Sequence, residues 1–135
     1  MSPRILLVDT DPLLLDAVFH ILKWTEFAVV GLLPDGASVL QGVHALKPDL
    51  VLSEILLHDM TGFEMARQLR HRGCKAKIVI LTMHETAEFV SAAFDLGVRG
   101  YVFKSRIDTD LLEAIEAVLA GGHFIPVPST SSGQF

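Results

Sequence analysis

Six side chains stand where short apolar runs end. Asp9, Thr10 and Asp11 follow Ile5-Leu6-Leu7-Val8, and Glu54 closes Pro48-Asp49-Leu50-Val51-Leu52-Ser53. Thr82 ends Ile78-Val79-Ile80-Leu81, and Lys104 follows Tyr101-Val102-Phe103. If these runs are neighbouring strands of one parallel sheet, all six side chains ring a shallow pocket at its carboxyl edge. That edge is where open α/β sheets place ligands and chemistry. Three acids, two hydroxyls and a lysine suit phosphoryl transfer to a carboxylate. Acids hold a divalent cation, while Thr and Lys neutralise the phosphoryl oxygens.

Positioning them requires an alternation of strands and helices, and the chain supplies it. Ile5 to Val8 reads as the first strand. Residues 12–24 read as a helix with Leu14, Val18, Ile21 and Leu22 on one face. Asp11 before Pro12 is an N-cap followed by proline at the first helical position. Phe27 to Leu33 is a second strand, closed by Pro34-Asp35-Gly36. Val39, Leu40, Val43 and Leu46 mark a second helix that stops before Pro48. Leu50 to Ser53 is the third strand, and Gly62 to Arg72 the third helix. Ile78 to Thr82 is the fourth strand. Residues 86–96 form a fourth helix with Phe89, Val90, Ala93 and Phe94 apolar, stopped by Gly97. Tyr101 to Phe103 is the fifth strand, and Leu111, Leu112, Ile115, Val118 and Leu119 line the fifth helix. Strands apolar on both faces imply a parallel sheet covered on both sides. The expected fold class is α/β, a flavodoxin-like (βα)5 doubly wound parallel sheet with strand order 2-1-3-4-5. Residues 1–122 form the folded domain, and 123–135, with Pro126, Pro128 and a Ser/Thr/Gly run, have the composition of a flexible C-terminal linker or tail.

Composition excludes several functions. The 135 residues fit one domain with a proper core. No apolar run nears the ~20 residues that cross a bilayer, so no membrane role is expected. The amino terminus enters a strand at once, without a secretory leader, and the lone Cys74 suits a reducing compartment; the expected location is cytoplasmic. A net charge of −5 argues against direct nucleic-acid binding. The one basic concentration, Arg67, Arg70, Arg72, Lys75 and Lys77, falls at a helix end, where cations suit the dipole. No Gly-rich phosphate loop follows the first strand, so a flavodoxin-type cofactor or enzymatic role has no support, and no enzyme is expected.

Over residues 3–125 the chain resembles the receiver domain of two-component response regulators. The matching pieces are Ile5-Leu6-Leu7-Val8-Asp9, Pro48-Asp49-Leu50-Val51-Leu52, Gly62 eight residues after Glu54, Ile80-Leu81-Thr82, and Gly97-Val98-Arg99-Gly100-Tyr101-Val102-Phe103-Lys104. Leu112 to Val118 followed by Gly121-Gly122-His123-Phe124-Ile125-Pro126 is similar to the subfamily that precedes a helix-turn-helix DNA-binding output. The resemblance implies that Thr82, Tyr101 and Lys104 are switch residues in their usual places. It also implies departures. Glu54 stands at the phosphoacceptor position, where the family has Asp. Thr10 replaces the second metal-binding acid, Met83 a small residue, and His58 a proline.

Two of these departures touch the same chemistry. Glu54 reaches ~1.5 Å further than Asp would, about one C–C bond. It carries about −1, against roughly −1.5 to −2 for a phosphoryl group, and so partly imitates a phosphorylated Asp. A shift near ~1 Å is costly for in-line transfer. Without an acid at position 10, Mg²⁺ binding should be weak or absent, with only Asp9 and Glu54 left as poor ligands. No other cofactor is expected. The implied function is therefore an atypical phosphorelay receiver, a pseudo-receiver acting by protein–protein contact and locked as a phospho-mimic, with Glu54 pairing with Lys104. The alternative is a phosphorylation-competent receiver controlling transcription through a separate or removed DNA-binding domain. Partners implied are a histidine kinase or an output protein, docking on the face of helix four, strand five and helix five; a homodimer through that face is also open. Three structural readings stand beside these. Glu54 is merely an acid satisfied by Lys104; Asp11 is a cap rather than a ligand; Tyr101 is packing. His58 and His84, beside Asp59 and Glu85, form either a transition-metal site or a chance surface cluster.

Overall fold

Residues 2–127 are described by the computed structural model. The chain runs β1 (Arg4–Val8), α1 (Pro12–Leu22), β2 (Ala28–Leu33), α2 (Gly36–Leu46), β3 (Leu50–Ser53), α3 (Gly62–His71), β4 (Lys77–Thr82), α4 (Ala87–Asp95), β5 (Gly100–Phe103) and α5 (Ile107–Leu119). A single 3₁₀ turn, Lys104–Arg106, joins β5 to α5. All strand pairs are parallel, and the order is β2-β1-β3-β4-β5. The fold is the flavodoxin-like one expected. No helix among the described residues is long and apolar enough to cross a membrane.

The strands are continuously apolar because successive side chains enter opposite layers. Ile5, Leu7, Leu50, Leu52, Val79, Leu81 and Val102 pack with Val18 and Leu22 of α1 and Leu111, Ile115 and Val118 of α5. Leu6, Val8, Val51, Ile78, Ile80, Tyr101 and Phe103 pack with α2, α3 and α4 through Val39, Val43, Met65, Leu69, Val90 and Ala93. A slip of one residue in any strand would exchange its two faces, so the register is firmly specified.

That register aligns the strand ends. Val8 pairs with Ser53, and Ser53 with Ile80, while Thr82 pairs with Phe103. Asp9, Glu54, Thr82 and Lys104 therefore emerge on one edge. Gly62 is needed where α3 begins. A Cβ there would collide with the carbonyl oxygen of Glu54, and the Gly62 N–H donates to the Ile55 carbonyl at 2.6 Å. The spacing of eight residues between Glu54 and Gly62 is thus a backbone contact read as sequence.

Three expectations change. Helix α1 ends at Leu22, two residues early, because the Thr25 N–H and hydroxyl both donate to the Leu22 carbonyl. Ile21 and Leu112, assigned to inner helix faces, each remain 37% exposed. Phe124, placed in the tail, bridges Gly100 on the outer edge of β5 and packs against the α1/α5 layer. The rest of the Ser/Thr-rich run, from residue 128, lies outside the described residues.

Candidate functional site

Each residue of the carboxyl-edge site is placed by a strand end. Asp9 follows β1, and Glu54 follows β3 with its N–H donating to the Val8 carbonyl at 3.0 Å. Thr82 is the last residue of β4, and Lys104 opens the turn after β5. Asp9, Glu54 and Thr82 are buried.

The Lys104 ammonium joins the two acids. Its Nζ lies 2.7 Å from Glu54 Oε1 and 2.9 Å from Asp9 Oδ2, so the ion pair expected of Glu54 is present and shared. Burial pushes the Lys104 pKa down, but the bonds to Glu54 and Asp9 outweigh it and hold the group above its ordinary value. The remaining oxygens are also engaged. Glu54 Oε2 accepts from the Thr82 hydroxyl and, at 2.6 Å, from the Ile55 N–H. Asp9 Oδ1 accepts from the Asp11 N–H at 2.8 Å. Every oxygen of both carboxylates thus has a donor. Among the described residues no group of three His, Cys, Asp or Glu side chains is arranged to hold a metal.

From Thr82 the bonds continue outward. The Thr82 oxygen lies a long 3.4 Å from the His84 N–H, and the His84 carbonyl accepts from the Tyr101 hydroxyl at 2.7 Å. Tyr101 is wholly buried, edge-on to Phe103. Burial first, then the negative charges of Glu54 and Glu85, push its phenol far above the ordinary value. The His84 ring stacks on Phe89 of α4 with centroids 4.5 Å apart. The Ser105 hydroxyl donates to Glu85 at 2.6 Å. The loop after β4 is therefore tied on one side to Glu54 and on the other to β5 and α4.

Other candidates disperse. The Asp11 carboxylate accepts from the Leu13 N–H at 3.0 Å and caps α1. Thr10 is half-buried and makes no side-chain hydrogen bond among the described residues. Asp59 does not join His58 in a metal site. Its two oxygens accept from the Gly36 and Ala37 N–H groups at 3.0 and 2.8 Å, capping α2 from a distant loop. Those N–H groups hold its pKa below the usual carboxylate range. This cap, the Tyr101–His84 bond and the Ser105–Glu85 bond are not legible in the sequence, because each brings a loop to a segment remote along the chain.

Known proteins share this fold. The response regulator receiver domain matches residues 5–116. The transcriptional regulatory protein MctR of Rhizobium johnstonii is 29% identical over 98% of this chain and 60% of its own length. The nitrate/nitrite response regulator protein NarP of Escherichia coli is 33% identical over 87% of this chain and 55% of its own. The chain therefore spans little more than half of these relatives. Among solved structures, a LuxR-family two-component response regulator from Aurantimonas sp. SI85-9A1 is 33% identical with a TM-score of 0.86, covering 92% of this chain and 89% of that one. The non-phosphorylated receiver domain of RcsB from E. coli, 23% identical with a TM-score of 0.87 over 94% of this chain and 100% of that one, shares the fold.

Proposed function

The chain belongs to the response regulator receiver domain family, and from that premise we propose that it is an atypical receiver that is not phosphorylated. It signals through protein contacts. The observation that carries this reading is the closed bonding of Glu54: Lys104 on one oxygen, Thr82 and the Ile55 N–H on the other. An acceptor oxygen must be free to attack phosphorus in line, and it needs a cation beside it to offset the developing charge. Here, among the described residues, the one cation touching Asp9 and Glu54 is the Lys104 ammonium. With Thr10 in place of an acid, Mg²⁺ has too few oxygens to complete an octahedral shell. Magnesium binding is therefore weak or absent, and the chain has no enzymatic step of its own.

Glu54 instead sets the switch. Its charge draws the Thr82 hydroxyl inward. Thr82 and Tyr101 hold His84 from two sides, so the loop ahead of α4 takes one position. The surface formed by α4, β5 and α5 then has a fixed shape, and it is the docking face for a histidine kinase, an output protein or a second copy. The name of MctR, a transcriptional regulatory protein, supports control of transcription as the wider role, exercised in the cytoplasm through a DNA-binding partner or domain.

The test is incubation with acetyl phosphate and Mg²⁺, followed by intact mass. The expected result is no gain of a phosphoryl group. The double replacement Thr10→Asp and Glu54→Asp is expected to restore phosphorylation, and each single change to do less, because the two side chains share one ion. A stoichiometric, Mg²⁺-dependent gain on the unaltered chain that Glu54→Gln abolishes overturns the reading.

A further inference from the structure

The opposite edge of the sheet holds a second, unrelated feature. A cavity of about 1010 Å³ opens among the amino-terminal ends of β1 and β4 and the carboxyl-terminal ends of α2 and α3. Its size is at the upper end of the ~300–1,000 Å³ of small-molecule pockets. Five of the chain's 11 Lys and Arg residues line it: Arg4, Lys47, Arg72, Lys75 and Lys77. Its one acid, Asp49, turns its carboxylate to the Arg4 backbone N–H at 2.7 Å. Among the described residues none of the five cations forms an ion pair.

Bonds to backbone carbonyls of the helices explain part of this. Arg4 donates to the Leu46 carbonyl, Arg72 to the Leu40 carbonyl and Lys77 to the Val118 carbonyl. Those bonds fix three headgroups and leave other N–H groups on each unused. Lys47 and Lys75 make no such bond. Lys47 is moreover the one described non-glycine residue with positive φ, at 49°. The left-handed region favours glycine, so a lysine held there is a local cost with a positional result. It puts a cation at the cavity's rim, where α2 stops. Between the cations the lining is apolar, with Leu40, Val43 and Leu119. Fixed cations around an apolar floor recognise an anion that carries an apolar body.

We infer that this amino-edge cavity binds a small phosphate-bearing anion of nucleotide size, its phosphates on Arg72, Lys75 and Lys47 and its body on Leu40 and Val43. The site is independent of the carboxyl-edge chemistry and of whether Glu54 is phosphorylated.

Titration calorimetry of this chain with adenosine triphosphate and, separately, with inorganic pyrophosphate tests it, both without Mg²⁺. Saturable binding of either probe in the micromolar range is expected. Arg72→Ala with Lys75→Ala should weaken it at least tenfold, and Glu54→Gln should change it less than twofold. Adenosine triphosphate binding more tightly than pyrophosphate assigns the apolar floor to a nucleotide; equal binding overturns the placement of a body on Leu40 and Val43. Thermal melting shows whether the double variant is folded, and Lys75→Glu alone, which removes no intramolecular bond, gives the same reading if it is not. Binding of neither probe below millimolar concentration, or binding that Lys75→Glu leaves intact, overturns the inference.

Discussion

The two edges of this sheet handle charge in opposite ways. At the carboxyl edge two acids and one lysine are drawn together, largely out of water, and each carboxylate oxygen has a named donor. At the amino edge five cations face a large cavity with no carboxylate paired to them. The same fold produces both. Strand ends converge at one edge and aim side chains into a small space. At the other, helices α2, α3 and α5 end, and Arg4 and Lys77 bond to carbonyls at the ends of α2 and α5. Buried charges must be neutralised by partners, because water no longer does so. Exposed ones need no partner. A buried cluster is therefore stiff and mutually dependent, whereas an exposed one leaves its charges available to a ligand.

The largest expected effect follows from that dependence. Lys104→Ala leaves Asp9 and Glu54 facing one another without a cation. Removing one partner of a buried pair costs about 3–5 kcal/mol, and the slight exposure of Lys104 places the loss near the lower figure. Lys75→Ala at the amino edge should stay within about 0.5 kcal/mol of the parent. Urea unfolding of both variants measures the contrast. Equal small losses would mean that water already screens the carboxyl edge, and the distinction between the edges would fail.

Much of this contrast was legible in the sequence, though unevenly. Apolar runs ending in Asp9, Glu54, Thr82 and Lys104 place those residues at one edge as soon as the strands are parallel, since side-chain period and strand order leave no other arrangement. The Glu54–Lys104 pair followed from the family resemblance, in which the lysine after the fifth strand reaches the acceptor position. What could not be read were contacts that bring a loop to a helix or strand far away along the chain: Asp59 capping α2, Tyr101 bonding to the His84 carbonyl, and Phe124 returning to the edge of β5. Each depends on where a loop without periodicity lies in space. The basic run was read as neutralising the end of its own helix. In fact Arg67 pairs with Glu64, while Arg72 and Lys77 serve carbonyls of α2 and α5. Composition gave the sign of that surface, and only the tertiary arrangement gave its partners.

Alkaline pH should separate the edges next. The folded pKa values of Lys104 and Tyr101 both lie above their unfolded ones. For a raised pKa the stabilisation is complete below the unfolded value, near pH 10 for both groups. Above it the unfolded chain releases protons that the folded chain keeps, and stability falls. Unfolding should therefore set in above about pH 10. Tyr101 is the one tyrosine, so absorbance of the phenolate reports it alone. That signal should appear together with loss of helical circular dichroism and not before it. In Glu54→Gln, which removes one of the charges that raise the phenol, it should appear at lower pH. A phenolate formed in the fully folded parent near pH 10 would show that Tyr101 is open to water and would detach it from the Glu54 chain of bonds.

Salt gives the smallest and most discriminating difference. Unpaired cations sharing one cavity repel one another, and that repulsion acts partly through water. The Debye length is about 10 Å at 0.1 M salt and about 3 Å at 1 M. At low ionic strength Lys75→Ala should relieve some of the repulsion and stabilise the chain by a few tenths of a kcal/mol, the size typical of exposed charge pairs. At about 1 M salt the gain should vanish, since screening has already removed what the substitution removes. Lys104→Ala should behave differently. Its partners lie within 3 Å and are buried, so ions cannot enter between them, and its cost should be nearly the same at both salt concentrations. Melting temperatures of the parent and the two variants at low and high salt measure this directly. If the cost of Lys104→Ala fell with salt as steeply as the gain of Lys75→Ala, both edges would be solvated alike, and the closed bonding of Glu54 could not by itself hold Thr82 and Tyr101 in place.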